Sequence, residues 1–242
     1  MDGTEFQEGK ILLIDKPIGW TSFDVVNKIR YLLKKTFQIK KIKVGHTGTL
    51  DPLATGLLVL CTGRFTKRIP EFQGLHKEYT GTFMLGSTTA SFDLETPVNA
   101  EFPLDEIDEE KIRAVLPQFT GKISQVPPTY SAKKVDGKRS YKAARGGIEL
   151  DIPAQDVVIE RFDIDRVELP EVDFDISCSK GTYIRALARD LGKALGNGGH
   201  LSALRRTRVG DFSLEDAITI DQLIENVGNA ANLANRKDPS EH

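Results

Sequence analysis

Residues 172–178 place the tightest limit on the fold. Val172, Phe174, Ile176 and Cys178 alternate with Asp173, Asp175, Ser177 and Ser179, the clearest period-two strand in the chain. Gly181 ends it and the period changes. Tyr183, Leu187, Leu191 and Leu195 fall four apart, with Arg185, Arg189 and Lys193 on a neighbouring face, which predicts a helix over Thr182–Leu195. The same alternation of types recurs upstream. Lys10–Asp15 reads as a buried strand stopped by Pro17 and Gly19. Ser22 reads as the N-cap of a helix to about Lys35, built on Val25, Val26, Ile29, Leu32 and Leu33. A Gly- and Pro-rich loop from Gly45 leads to a buried strand at Leu57–Cys61, a short helix from Arg64 to about Phe72, and a strand at Tyr79–Leu85. Glu109–Phe119 predicts a helix, Asp136-Gly137 a hairpin turn, Ser140–Arg145 a short helix and Val157–Ile164 a strand. Strands, helices and hairpins interleave without a βαβ rhythm. The expected class is α+β with a largely antiparallel sheet.

At 242 residues the chain suits one large domain or two small ones, and 39% hydrophobic residues against balanced charge exclude a disordered chain. The longest clean apolar run, Leu57–Cys61, is far short of a membrane span, and the acidic, polar start is unlike a signal peptide. Cys61 and Cys178 have neither C-x-x-C nor metal spacing, so reduced thiols in a cytoplasmic protein are expected.

The formal charge of −2 conceals strong segregation. Between Val25 and Leu50 stand seven cations and no anion; Ser131–Arg145 carries six cations against Asp136 alone; Arg64, Lys67 and Arg68, then Arg205, Arg206 and Arg208, add two further clusters. Acids concentrate at Glu101–Glu110 and at Asp163–Asp175. Blocks of this kind suit either a positive face for a polyanion or separate solvated surfaces.

Metal-hydrolase, P-loop, nucleophile-elbow and dinucleotide motifs are all missing. What remains is Gly45–Gly56, GHTGTLDPLATG, which sets one carboxylate, Asp51, among glycines in a cationic stretch of chain. Nearby cations would hold that carboxylate ionised, as suits a nucleophile. An aspartate closing an Asx turn before Pro52 is the other reading of the same residues. Taken singly, His46 reads as a loop hydrogen-bonding group, and Tyr79 and Tyr183 as core or sheet aromatics.

The twelve-residue loop resembles the signature of the TruB family of tRNA pseudouridine synthases. Further segments resemble that family in the same order: Leu13–Pro17 with Gly19–Ser22, Lys77-Glu78-Tyr79, Pro127 through Tyr130-Ser131-Ala132, Ser179–Arg185, and Leu204–Thr207. The resemblance implies the pseudouridine-synthase fold, a central, largely antiparallel mixed sheet flanked by helices and loops, with a basic RNA-contacting insertion at about 127–155. It implies a catalytic domain over 1–225. Many bacterial members continue into a PUA domain, and the roughly 22 residues after Ile220 are too few for one.

By the same resemblance the chain isomerises uridine 55 in the T-loop of tRNA, with no cofactor or metal. Asp51 would be the catalytic nucleophile, Arg185 its partner, and Tyr79 the residue stacking on the base. Tyr183 and Leu204 would line the base pocket, and His46 would sit at the RNA interface. Lys133, Lys134, Lys138, Arg139, Arg205 and Arg206 would contact phosphates. A monomer without an obligate protein partner or membrane association is expected. The alternatives are a guide-RNA-dependent synthase acting on ribosomal RNA and a non-catalytic tRNA-binding or folding module.

Overall fold

The computed structural model describes residues 2–131, 134–135, 138–139 and 152–236. They form two compact units, Met1–Lys77 with Arg205–His242, and Glu78–Leu204. In chain order the first unit opens with α1 (Gly3–Glu8), β1 (Ile11–Lys16), α2 (Ser22–Thr36), β2 (Val44–His46), β3 (Ala54–Thr62), a 3₁₀ turn at Gly63–Arg68 and α3 (Ile69–Gln73). The second unit holds β4 (Lys77–Leu85), β5 (Ser87–Thr89), β6 (Val98–Glu101), α4 (Glu109–Val115), β7 (Gly121–Gln125), β8 (Lys134–Val135), β9 (Lys138–Arg139), β10 (Gln155–Glu168), β11 (Glu171–Cys178) and α5 (Ile184–Ala194). Strand β12 (Gly199–Val209) then carries the chain back into the first unit, which closes with β13 (Phe212–Ser213) and α6 (Ile220–Arg236). No helix among the described residues is long and apolar enough to cross a membrane.

In the first unit β3 lies between β1 and β12, and its pairing with β1 is antiparallel, running from Ile11 opposite Cys61 to Lys16 opposite Gly56. Both faces of β3 are covered. Leu58 and Leu60 join Val25, Val26, Ile29 and Leu33 of α2, Phe6 of α1, and Leu223 and Val227 of α6. Leu57 and Val59 pack with Val209 on the other face. A strand buried on both sides has no polar face to alternate, which is why Leu57–Cys61 is a continuous apolar run. The cap of α2 is Thr21, one residue earlier than expected: its hydroxyl accepts from the Asp24 amide while the Asp24 carboxylate accepts from the Thr21 amide.

Two further differences stand out. The helix α6 continues to Arg236, beyond the expected end of the catalytic domain at residue 225. Leu223 and Val227 bury one side of it, and the alanines beyond supply helix propensity without an apolar stripe to be read. The eleven-residue strand β12 has no counterpart in the sequence reading, because its arginines break the apolar alternation.

In the second unit the strand order is β12-β4-β11-β10-β7. The β10–β11 and β10–β7 pairs are antiparallel, which bears out the expected sheet type. Phe83 of β4 stacks on Phe174 of β11 with ring centroids 4.1 Å apart, and Phe162 of β10 meets Phe83 edge-on at 6.1 Å. The apolar half of the alternating 172–178 strand therefore faces the core. Its acids are met on the polar face by arginines of β10: Arg166 reaches Asp173 at 2.6 Å and Arg161 reaches Asp175 at 2.8 Å. Strands β8 and β9 pair with each other on either side of Asp136-Gly137. That turn, Lys133 and the helix expected at Ser140–Arg145 lie outside the described residues.

Charge divides with the units. The first carries 18 Lys and Arg against 14 Asp and Glu, a net +4; the second carries 15 against 21, a net −6.

Candidate active site

Strand β2 delivers the chain to the Asp51 loop. Val44, Gly45 and His46 pair with Thr62, Cys61 and Leu60 of β3, and the Thr47 amide adds a bond to the Val59 carbonyl at 3.0 Å. Pairing ends there. Ser22, the first residue of α2, and Gly19, just before the helix, then take hold of the loop on both sides of Asp51. The Ser22 hydroxyl accepts from the Leu50 amide at 2.8 Å and donates to the Leu50 carbonyl at 3.0 Å. The Gly19 amide donates to the Pro52 carbonyl at 2.8 Å. Asp51 itself is half-buried, and its carbonyl accepts from the Ala54 amide, closing the turn back into β3.

Two buried cations underlie this loop. Lys16, at the end of β1, has no exposed surface. Its ammonium donates to the carbonyls of Trp20 at 2.6 Å, Pro17 at 3.0 Å and Pro52 at 3.4 Å. Burial pulls its pKa down to about 8; the Asp51 charge acts in the opposite direction and Arg206 in the same one. Arg206, on β12, donates through Nε to the Leu57 carbonyl at 2.8 Å and through a terminal nitrogen to the Gly48 carbonyl at 3.1 Å. This corrects the expectation that Arg206 contacts phosphate. It is 2% exposed, and it donates inward to backbone carbonyls of β3 and of the loop. Arg205, beside it, stays partly exposed and pairs with Asp15 at 2.7 Å.

Gly56 allows β12 to come this close. Its φ is +96°, and a Cβ there would lie 2.4 Å from the Arg206 carbonyl oxygen. The Nδ1 atom of His46 is buried and has no hydrogen-bond partner among the described residues. Desolvation, then the Arg206 charge, holds the imidazole below its ordinary range, against a weaker opposite effect of the Gly48 backbone. His46 is therefore neutral at pH 7, a donor–acceptor group rather than a cation.

Further along the same unit, Lys41, Lys43, Arg64 and Lys67 line a cavity of about 260 Å³ with Gln7, Ile42, Gly63 and Thr66. Four cations and no anion surround it, joining two of the basic clusters evident in the sequence.

In the second unit, Arg185 occupies the first turn of α5 and is 4% exposed. One terminal nitrogen donates to the Ser91 carbonyl at 3.0 Å, the other to the Tyr130 carbonyl at 2.7 Å, and Nε lies 3.6 Å from the Asp93 carboxylate. The turn that presents Ser91 and Asp93 together passes through Phe92 in a left-handed conformation, φ 61°. Thr89 and Ser91 hydroxyls lock it by donating to the Asp93 carbonyl at 2.6 and 3.1 Å. Tyr183 precedes α5, and the buried Gln125 side chain fixes it by exchanging hydrogen bonds with its amide and carbonyl at 2.9 and 3.2 Å. Tyr79 is buried on β4, 8% exposed. Ser202 donates to the Thr82 carbonyl at 3.1 Å, and the Ala203 carbonyl passes so close to Gly81 that a Cβ there would meet it at 2.3 Å.

Asp51 and His46 thus belong to one unit, and Tyr79, Tyr183, Arg185 and Leu204 to the other. Lys134, Lys138 and Arg139 lie on β8 and β9. The sequence reading did not single out Lys16, Asp93 or Gln125. Lys16 stands inside a quoted segment and carried a signal; Asp93 and Gln125 are ordinary polar residues until the fold buries them.

Comparison with known proteins decides the family. Residues 34–184 match the TruB family pseudouridylate synthase N-terminal domain, and residues 185–238 match the tRNA pseudouridylate synthase B C-terminal domain. The chain belongs to the TruB family of pseudouridine synthases. It is 54% identical over 221 residues to tRNA pseudouridine synthase B of Flavobacterium johnsoniae, covering 91% of this chain and 96% of that one. It is 52% identical to the protein of the same name from Phocaeicola vulgatus over 91% of this chain and 94% of that one. Among solved structures, a chain of a Cbf5-Nop10-Gar1 complex superposes with a TM-score of 0.70 at 29% identity, over 94% of this chain and 60% of that one. Pseudouridine synthases are isomerases, so the TruB chain described here belongs to that enzyme class.

Proposed function

We propose that the chain converts uridine 55 in the T-loop of tRNA to pseudouridine, with Asp51 as the nucleophile. The observation that carries this is the half-buried Asp51, pinned through Leu50 and Pro52 to the start of α2 with buried Lys16 as its cationic neighbour. The relatives named above as tRNA pseudouridine synthase B supply the substrate class.

In this reaction the N1–C1′ bond breaks, the uracil turns, and C5 bonds to C1′; the proton on C5 is lost and N1 gains one. Nothing is oxidised or reduced. The base must first leave its stack, at a cost of a few kcal/mol. Stacking on Tyr79 returns about 1–3 kcal/mol of it. The family resemblance gives Arg185 the role of partner to Asp51, and Tyr183 and Leu204 that of enclosing the base, while neutral His46 supports the displaced nucleotide by hydrogen bonding. Asp93 orients Arg185. The T-arm phosphates rest on the cationic cavity of Lys41, Lys43, Arg64 and Lys67, on Arg205, and on Lys133, Lys134, Lys138 and Arg139 of the insertion, since folded RNA is held chiefly by shape and phosphate contacts. Residues 1–225 act as the catalytic domain, with 127–155 as the RNA-gripping insertion.

The test is to incubate the pure protein, with no guide RNA or cofactor, with an unmodified T-arm stem-loop and to map pseudouridine. Modification at position 55, and its abolition in Asp51→Asn with binding nearly intact, is the expected result. Turnover only after adding a guide RNA would transfer the assignment to the guided reaction, and substantial turnover by Asp51→Asn would remove Asp51 from its role.

A further inference from the structure

The outer side of α2 is unlike an ordinary solvated helix face. Phe23 and Tyr31 are each 62% exposed. They stand eight residues apart, about 12 Å along the axis. Around them are Lys28, Arg30, Lys34 and Lys35, and from Val25 to Leu50 the chain holds no anion. Asp24, the one acid of the helix, is closed into the capping box with Thr21. The Lys35 ammonium lies 5.9 Å over the Tyr31 ring.

This face is also fixed in place. Arg30 donates to Asn27 at 2.9 Å and to the Val44 carbonyl at 3.1 Å, tying the outer side of α2 to the strand that follows Lys43. Lys41 and Lys43, which follow α2 in the chain, line the four-cation cavity. Exposed rings set among cations are the chemistry that binds unpaired nucleotides: bases stack on the rings and phosphates pair with the ammonium groups. A spacing near 12 Å exceeds the 3.4 Å of adjacent stacked bases, so the rings suit two separated, unstacked bases rather than one duplex end.

We propose that the outer face of α2 is a second RNA-binding surface. It holds unpaired bases of the substrate RNA on Phe23 and Tyr31, with phosphates on Lys34 and Lys35, and it engages RNA beyond the stem-loop that carries the target uridine. The proposal rests on the tRNA reading above and extends the footprint of that substrate.

The experiment compares full-length unmodified tRNA with the isolated T-arm stem-loop, using the unsubstituted protein and Phe23→Ala/Tyr31→Ala. Stacking losses of this kind correspond to about tenfold or more in Kd. Affinity for full-length tRNA is expected to fall by at least that factor more than affinity for the stem-loop, and Phe23→Trp/Tyr31→Trp is expected to restore it. Both rings are exposed, so an unchanged melting temperature checks the fold. Equal loss for both RNAs, or no loss for either, overturns the proposal; the second result leaves the face to a protein partner. Failure of the functional reading itself appears separately, as absence of pseudouridine in the stem-loop treated with unsubstituted protein.

Discussion

Replacing Lys16 by Met tests the electrostatics beneath the Asp51 loop. In the folded chain the ammonium holds its proton less tightly, with a pKa of about 8 against an ordinary 10.5, because burial outweighs the Asp51 charge. At 1.36 kcal/mol per pKa unit this puts about 3 kcal/mol against the folded, charged form. Below pH 8 both folded and unfolded chains carry the proton and the full penalty is present. Between pH 8 and 10.5 the folded chain releases the proton while the unfolded chain keeps it, so stability rises with pH. Above 10.5 the penalty is gone. The Met variant lacks this titration, and it removes the ammonium donor from the carbonyls of Pro17 and Trp20, while Pro52 keeps the Gly19 amide. At pH 7 the two losses oppose each other and the proteins should differ little. By pH 10 the wild type should have gained about 2.5 kcal/mol on the variant. Urea unfolding of both proteins at pH 7, 8, 9 and 10 measures this, with other titrating groups cancelling in the difference. A difference that stays constant within about 0.5 kcal/mol would falsify the assignment of a desolvated ammonium to this position.

Two neighbouring substitutions separate packing from RNA contact. Arg206→Ala removes a buried side chain and its hydrogen bonds to the Leu57 and Gly48 carbonyls and should cost about 2–4 kcal/mol by chemical unfolding, whereas Arg205→Ala, losing a partly exposed pair, should cost under about 1 kcal/mol. Similar losses for both would show that Arg206 is not committed to the interior. Gly56→Ala combines a positive φ with a 2.4 Å backbone approach and should cost about 3 kcal/mol, a fall of roughly 10 °C in melting temperature; a variant that melts with the wild type would contradict the close passage of β12.

Legibility followed the physics of each segment. The 172–178 strand was plain because one of its faces is polar, and α2 because its core residues keep helical spacing. The aspartate loop stood out by its glycines and by family resemblance, although its residues alone allowed a turn as readily as a nucleophile. Strand β12 was hidden because Arg205 and Arg206 look like a surface cluster, while only the fold shows one of them turned inward. The Ser91–Asp93 turn was hidden for a different reason. A left-handed phenylalanine leaves no compositional trace, so the partner of Arg185 emerges only when Thr89 and Ser91 are seen closing on the Asp93 carbonyl.

The grip of Ser22 and Gly19 on the residues flanking Asp51 has a consequence for transplantation. Segments thirty residues apart behave as one mechanical part, so GHTGTLDPLATG is not portable by itself. A chimera receiving the loop from a distant homologue without the 16–22 segment would inherit the aspartate and lose its mounting. Moving both segments together should preserve turnover where moving either alone does not.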